Sequence, residues 1–382
     1  MSLDLVIFGE DWGGLPSSTQ HLTRHLIELG HRVLWVNSIG LRRPKLTDAG
    51  RVIRKLCAAM RQPTERSGKL QSRASDQAAP AAILNPLAPP APCNQIERSL
   101  ARLMLGRQVK RAMAQIGMTR PILWSSLPSA AIMLGTCGER AVVYYCGDDF
   151  GDLVGVDHGP VLAFEQELAR AADLVLTSSP SLTRRFAPGN VETIQHGVDY
   201  SLFATPTAPA PSIPHGAPTA GFYGSIADWL DRDLIAEVAT RMPEWHFQFV
   251  GAIDCDLGRL NNLKNVTFEG AVPHHVLPSF SQHWTAALLP FRDTPQIRAC
   301  NPLKLREYLA AGAPIVATPF PAVEAYSDIV RIAETPADFA AAIAASQADQ
   351  PEQRVFRRAR VANETWRNRA ETVEKLLYGL PR

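Results

Sequence analysis

The chain has 382 residues, of which 46% are hydrophobic and 20% charged, with a formal net charge of +2. This composition excludes a wholly disordered chain, and the length predicts two domains. The near-neutral total gives no support to nucleic-acid binding. No zinc-finger spacing, aromatic RNA-binding signature or basic coiled-coil region accompanies it.

The six cysteines are scattered and form no CxxC pair, so free thiols in a reducing compartment are expected. Asp4 interrupts the first apolar run, which is therefore not read as a secretory leader. The uncharged stretches 77–96 and 121–138 carry prolines and serines, and neither reads as a spanning helix. The charge is unevenly placed. Residues 42–120 hold 16 Lys and Arg against 4 acids, a net of +12, whereas residues 139–173 hold 2 against 8, a net of −6. Segments 51–56 and 98–111 are predicted as basic amphipathic helices. Such helices suit an anionic lipid surface or an anionic substrate, and an ordinary solvated face has the same pattern.

In chain order, residues 3–8 form a predicted strand, residues 18–29 a helix stopped by Gly30, and residues 31–37 a second strand. This βαβ opening predicts a parallel sheet. Residues 61–82 read as a loop. Strands follow at 122–124, 141–145, 174–177 and 191–195. Residues 201–218, with Pro206, Pro209, Pro211, Pro214 and Pro218, read as a linker. Beyond it the pattern restarts with strands at 220–223, 246–250, 266–268, 286–289 and 315–317. Helices are predicted at 231–241 and 302–311, with one long final helix over 352–377. The fold class is α/β: two Rossmann-like domains facing a cleft. The first Gly-rich turn (Gly9, Gly13, Gly14) does not fit GxGxxG, and strand two ends in Asn37 rather than an acid, so a dinucleotide site is not supported. A Walker A loop is absent.

Residues 301–318 carry the most chemistry. Asn301 reads as the N-cap of a short helix, Pro302 as its first residue, and Gly312 as its stop, with Pro314 beyond. The free N–H groups and positive dipole end of this helix suit a diphosphate. Lys304 adds a full charge in the first turn. Glu307, three residues on, lies on the same face, where its carboxylate can accept from a ribose diol. A Lys–Glu surface pair gives the same spacing.

The segment resembles the nucleotide-sugar signature of GT-B glycosyltransferases, especially the family 4-like group. Gly221-Phe-Tyr-Gly-Ser-Ile, Trp245-His-Phe-Gln-Phe-Val-Gly, Asn265-Val-Thr-Phe-Glu-Gly and Leu288-Leu-Pro-Phe match in order, as do Ala172-Asp-Leu-Val-Leu-Thr-Ser-Ser and His196-Gly-Val-Asp in the first half. Val143-Tyr-Tyr-Cys-Gly-Asp-Asp and the Asn-Pro-Leu-Lys start are similar to bacterial surface-polysaccharide transferases. The likeness is weakest over 42–120. It implies an N-terminal acceptor-side domain over 1–204, with a helix 357–382 returning to it, and a nucleotide-sugar domain over 218–356.

By motif match, Lys304 meets phosphate, Glu307 the ribose, Gly224 and Ser225 the diphosphate, and Gly251 the base pocket. Arg232 is a second phosphate contact, Arg298 can reach the sugar or phosphate, and Asn301 with the backbone of Ala299–Pro302 can supply the sugar contacts of a glutamate that is missing here. The resemblance departs at Ala299, where many retaining members have the first glutamate of Glu-x7-Glu. An inverting transfer needs a base, and Asp148 and Asp149 follow an apolar strand at the end where α/β sites lie. Asp149 is slightly favoured, and a loop-capping role remains open for either. Trp12, Gly13, Gly14 and Ser17, after strand one, are candidate acceptor contacts. Neither Asp231-Arg-Asp nor Asp254-Cys-Asp is read as a metal site, and no metal or other cofactor is expected. His274 and His275 read as a loop.

The resemblance implies a glycosyltransferase moving a sugar from a UDP- or GDP-sugar to a lipid-linked or polysaccharide acceptor in surface-glycan synthesis. The expected location is cytoplasmic and peripheral on the inner membrane through the basic segment 42–120. A nucleotide-sugar epimerase and a non-catalytic scaffold subunit are the alternatives.

Overall fold

Short apolar runs alternating with amphipathic helices build two separate sheets. A computed structural model describes residues 2–14, 17–38, 64–66, 78–89, 92, 94–152 and 158–381. The chain divides into unit 1, residues 1–195 and 369–382, and unit 2, residues 196–368. The segment 51–56, with most of the basic stretch before residue 78, lies outside the described residues.

Unit 1 contains strands β1 (Asp4–Phe8), β2 (Arg32–Val36), β3 (Thr64–Arg66), β4 (Ala82–Leu84), β5 (Ile122–Ser125), β6 (Ala141–Cys146), β7 (Leu174–Thr177) and β8 (Val191–Thr193). They form one sheet in the order β3-β4-β2-β1-β5-β6-β7-β8. All pairings are parallel except β3 with β4. The predicted loop over 61–82 thus contains β3, a strand of three residues that is too short to show a period. The longer helices are α1 (Ser18–Glu28), α2 (Gln95–Gln115) and α3 (His158–Ala171). β5, β6 and β7 are buried at every position, as parallel strands covered on both faces require.

Unit 2 contains β9 (Thr219–Tyr223), β10 (His246–Val250), β11 (Val266–Glu269), β12 (Ala286–Leu289), β13 (Ile315–Ala317) and β14 (Val330–Ile332). Their order is β11-β10-β9-β12-β13-β14, all parallel. Its longer helices are α4 (Arg232–Arg241), α5 (Leu303–Ala311), α6 (Pro336–Ala345), α7 (Pro351–Val361) and α8 (Trp366–Tyr378), of which α8 passes into unit 1 at Arg369. Phe222, Phe247 and Phe249 fill the core around the central strands.

Two expectations need correction. Residues 201–218 are not a free linker, because they pack within unit 2. The Ala210 amide donates to the Ser279 carbonyl at 2.9 Å. The Gln282 side-chain Nε2 donates to the carbonyls of Phe203 at 2.8 Å and Thr205 at 2.7 Å. Proline content reports an extended chain, not a detached one. The predicted long final helix is two helices, α7 and α8, broken over 362–365. At the break, Val198 pairs with Thr365 and donates to the Glu364 carbonyl at 2.8 Å. A Cβ on Gly197 would lie 2.5 Å from the Trp366 amide nitrogen, so only glycine admits this approach.

Candidate active site

In unit 2, four of the sequence-predicted donor residues come together at the C-terminal ends of β9 and β10. Gly224 follows β9 with φ +124, and Gly251 follows β10 with φ +150. The Gly224 amide donates to the Val250 carbonyl at 2.8 Å. A Cβ on Gly251 would lie 2.1 Å from the Gly224 carbonyl oxygen, and one on Gly224 would lie 2.3 Å from Lys304 Cε and 2.7 Å from its Nζ. Both turns therefore require glycine, and Gly224 leaves bare backbone beside the lysine. Gly251→Ala is expected to lower stability by at least about 2 kcal/mol, since it combines a strained φ with a backbone clash. Urea unfolding measures this, and an unchanged midpoint would mean that the loop relaxes freely.

Lys304 stands in the first turn of α5. Its stem lies against Gly224, and its ammonium lies 5.4 Å from the centre of the Phe222 ring. Among the described residues the ammonium makes no hydrogen bond or ion pair. Loss of hydration holds its pKa below the ordinary lysine range, against the opposing pull of Glu307 and Cys300. A half-dry, unpaired cation at a helix N-terminus is a site for an anion.

Glu307, one turn on, is 8% exposed. Tyr223 Oη donates to its Oε2 at 2.8 Å, and His274 Nε2 donates to its Oε1 at 2.9 Å. The Tyr223 amide in turn donates to Tyr308 Oη at 3.1 Å. Burial first, and then the Glu307 charge, keep the Tyr223 phenol well above its ordinary pKa, so it stays a donor. The carboxylate is thus fixed from two sides, with lone pairs left on each oxygen. Sequence reading missed both partners. Tyr223 looked like one more residue of an apolar strand, and His274 carries no local motif.

The start of α5 differs from expectation. Pro302 is the N-cap, with no side-chain cap, and α5 begins at Leu303. Asn301 does not cap, because its Oδ1 accepts from the buried Arg306 at 2.5 Å and its carbonyl accepts from His196 Nδ1 at 2.6 Å. Arg306 also reaches Glu364 at 2.7 Å. A buried guanidinium is a stronger claimant for the Asn301 oxygen than a helix amide. Among the described residues, the helix start consequently has no side-chain cap. Gly312 closes the helix in the left-handed region at φ +79.

Ser225 is half-buried directly after Gly224. Arg232 opens α4 and is held by Asp228 at 3.0 Å and by the Asp256 carbonyl. Arg298 is exposed, and two of its nitrogens donate to Asp293, each at 2.6 Å. Neither arginine is brought to Gly224 and Lys304 by any of these bonds. Asp231 caps α4 by accepting from the Leu234 amide at 3.0 Å, and Asp256 accepts from the Gly258 amide at 3.0 Å, so both Asp-x-Asp tripeptides are used in turns.

In unit 1, the Trp12 amide donates to Asn37 Oδ1 at 2.9 Å, and the indole meets Trp35 edge-on at 4.8 Å. Arg24 lies 5.1 Å above the Trp12 ring. The Gly13 amide donates to Gln20 Oε1 at 3.1 Å, and the Gly14 amide to the Asp11 carbonyl at 3.1 Å. Ser17 is the N-cap of α1, accepting from the Gln20 amide at 3.2 Å. The loop is braced, with Ser17 used structurally.

The two aspartates after β6 separate clearly. Asp149 Oδ1 accepts from Arg185 Nη1 at 2.7 Å and from the Gly151 amide at 3.0 Å. The same guanidinium reaches Glu165 at 2.8 Å, and Glu165 accepts from Tyr144 Oη at 2.8 Å. Asp149 is therefore a loop-closing member of an ion network. Asp148 has solvent access, but the protein packed round it strips part of its hydration. That loss first, then the charges of Glu10 and Asp149, raise its pKa. Glu10, which follows β1, has a buried Oε2 with no hydrogen-bond partner among the described residues. Its place at the end of a central strand was visible in the sequence.

Residues 217–349 match the family model described as Glycosyl transferases group 1. Over that segment the chain is similar to group 1 glycosyltransferases, and the whole chain has a GT-B fold. The matched segment spans Gly224, Gly251, Lys304 and Glu307. A curated relative, the putative teichuronic acid biosynthesis glycosyltransferase TuaH of Bacillus subtilis, is 29% identical over 223 residues. That match takes in 53% of this chain and 56% of the relative, so the chain spans about half the length of the curated relative it matches. Among solved structures, sucrose-phosphate synthase from Thermosynechococcus elongatus superposes with a TM-score of 0.71 at 16% identity, over 99% of this chain and 98% of that one. Anabaena HepE in complex with UDP and glucose gives 0.69 at 12% identity, over 99% and 100%. These likenesses show the fold.

Proposed function

We propose that the chain moves a sugar from a nucleoside-diphosphate sugar to a lipid-linked or polysaccharide acceptor in surface-glycan synthesis. One observation carries the donor reading: the unpaired, desolvated Lys304 ammonium against the bare backbone of Gly224. The HepE structure with UDP and glucose, and the name of the TuaH relative, support it. Lys304 and the first amides of α5 hold the diphosphate and stabilise its charge as it leaves. Glu307, fixed by Tyr223 and His274, accepts from the ribose hydroxyls. The acceptor hydroxyl oxygen attacks the anomeric carbon, the bond from that carbon to the diphosphate oxygen breaks, and the hydroxyl proton passes to Asp148. The reaction on this reading inverts the anomeric centre, in keeping with Ala299 at the position of the first glutamate. The protein works in the cytoplasm, held at the inner membrane surface through the segment 42–120.

Calorimetry with a panel of nucleoside diphosphates tests the donor site. Wild type is expected to bind one base selectively, and Glu307→Gln to weaken that binding by roughly 10- to 100-fold, as expected for lost bonds to a charged acceptor. The amide keeps an acceptor for Tyr223, so the core survives. Binding to none of the panel would sink the donor reading.

A further inference from the structure

Helix α2 presents apolar residues on two opposite faces. Ala101, Leu105, Val109, Ala112 and Met113 are buried. Ile96, Leu100 and Leu103 are not: they are 81%, 48% and 50% exposed. Steps of four and three residues put these three on one stripe. The next steps along the same stripe reach Arg107, Lys110 and Arg111, all exposed. None of these three cations makes a hydrogen bond or ion pair among the described residues. The other two arginines of the helix are committed to packing. Arg98 pairs with Glu167 and lies 4.7 Å from the centre of the Phe164 ring, and Arg102 donates to the Leu134 carbonyl at 2.7 Å. Leu87 is 37% exposed and is tied beside the helix, its amide donating to Gln108 Oε1 at 2.9 Å. The single acid of α2, Glu97, lies about 100° round the helix from Ile96.

An ordinary solvated face does not align three exposed aliphatic side chains. Here they occupy the N-terminal half of the stripe, and unpaired cations occupy the C-terminal half. We infer that this face of α2 docks on an anionic lipid bilayer, with Ile96, Leu100 and Leu103 entering the boundary of the acyl region and Arg107, Lys110 and Arg111 meeting headgroup phosphates. The inference rests on the membrane placement proposed above and assigns it to one helix face. The mode is docking: among the described residues no helix is long and apolar enough to cross a membrane.

Flotation of the full chain with vesicles tests it. The vesicles contain phosphatidylglycerol in phosphatidylcholine, or phosphatidylcholine alone. Wild type is expected to float with the anionic vesicles only, and less so as salt rises. The triple variant R107A/K110A/R111A is expected to lose roughly 100-fold in partitioning, from about a fivefold loss per cation. The double variant Leu100→Glu with Leu103→Glu is expected to lose at least about 10-fold. Unchanged nucleoside-diphosphate binding and circular dichroism confirm that both variants fold. Wild-type flotation by both would overturn the assignment to α2 and leave the rest of the basic segment as the contact. Failure of wild type to float would overturn the membrane placement too, with the donor reading untouched. A dimer in sedimentation that the glutamate variant dissociates, without vesicle binding, would give the face to a second copy of the chain and overturn the proposal.

Discussion

Lys304→Ala is expected to lower kcat by roughly 100- to 1000-fold, the usual effect of removing one donor that stabilises developing negative charge. The loss should exceed that in affinity for the nucleoside diphosphate, because the α5 amides and the Gly224 backbone still bind the ground state. The fold should persist, since among the described residues the ammonium holds no other residue by a hydrogen bond or ion pair. Steady-state kinetics with the identified donor, beside calorimetry, separate the two effects. Near-normal turnover would sink the assignment of Lys304 to the leaving diphosphate. The pH dependence carries a sign. Burial lowers the Lys304 pKa, so free enzyme loses the charge on the alkaline side earlier than an ordinary lysine does. Donor binding should therefore weaken as pH rises through that lowered value. A bound diphosphate favours the ammonium and pushes the limb back up.

Asp148→Asn is expected to lower kcat by roughly 100- to 10,000-fold with donor affinity unchanged, as loss of a general base does. Asp149→Asn is expected to act differently. It removes a charge from the Arg185–Glu165 network and should lower the melting temperature, with a smaller effect on kcat. The comparison decides between neighbours that the sequence left open, and a larger kcat loss at Asp149 would reverse the choice. A base must be ionised to work. The raised pKa of Asp148 means that activity should climb with pH through a value above the ordinary aspartate range. The Asn variant should lose that acid limb, and an identical limb in Asp148→Asn would assign it elsewhere.

The sequence by itself determined the α/β class, most of the strands and the motif from Asn301 to Gly312. These are local features. Alternation of short apolar runs with amphipathic helices fixes parallel strands, and Gly312 stops α5 because glycine takes a left-handed backbone at little cost. The requirement for Gly224 and Gly251 was legible in outline, since each ends an apolar strand. What only the tertiary structure decided lies in pairs far apart in the chain. Asn301 was read as a helix cap from its neighbours, but the buried Arg306 and His196 claim its polar groups. Glu307 was read from spacing, whereas its fixing by Tyr223 and His274 joins β9 and a turn after β11. Asp148 and Asp149 are adjacent and chemically identical, and only Arg185 and Glu10 distinguish them. The final helix breaks because Val198 takes the backbone of 364–365, a contact with no signal in the local periodicity. On α2 the helical period was readable, but only packing shows which apolar face is covered by unit 1 and which remains open beside Arg107, Lys110 and Arg111. Local propensity and patterning set the elements; desolvation and long-range charge partners, which exist only once the elements are packed, set the chemistry of the side chains.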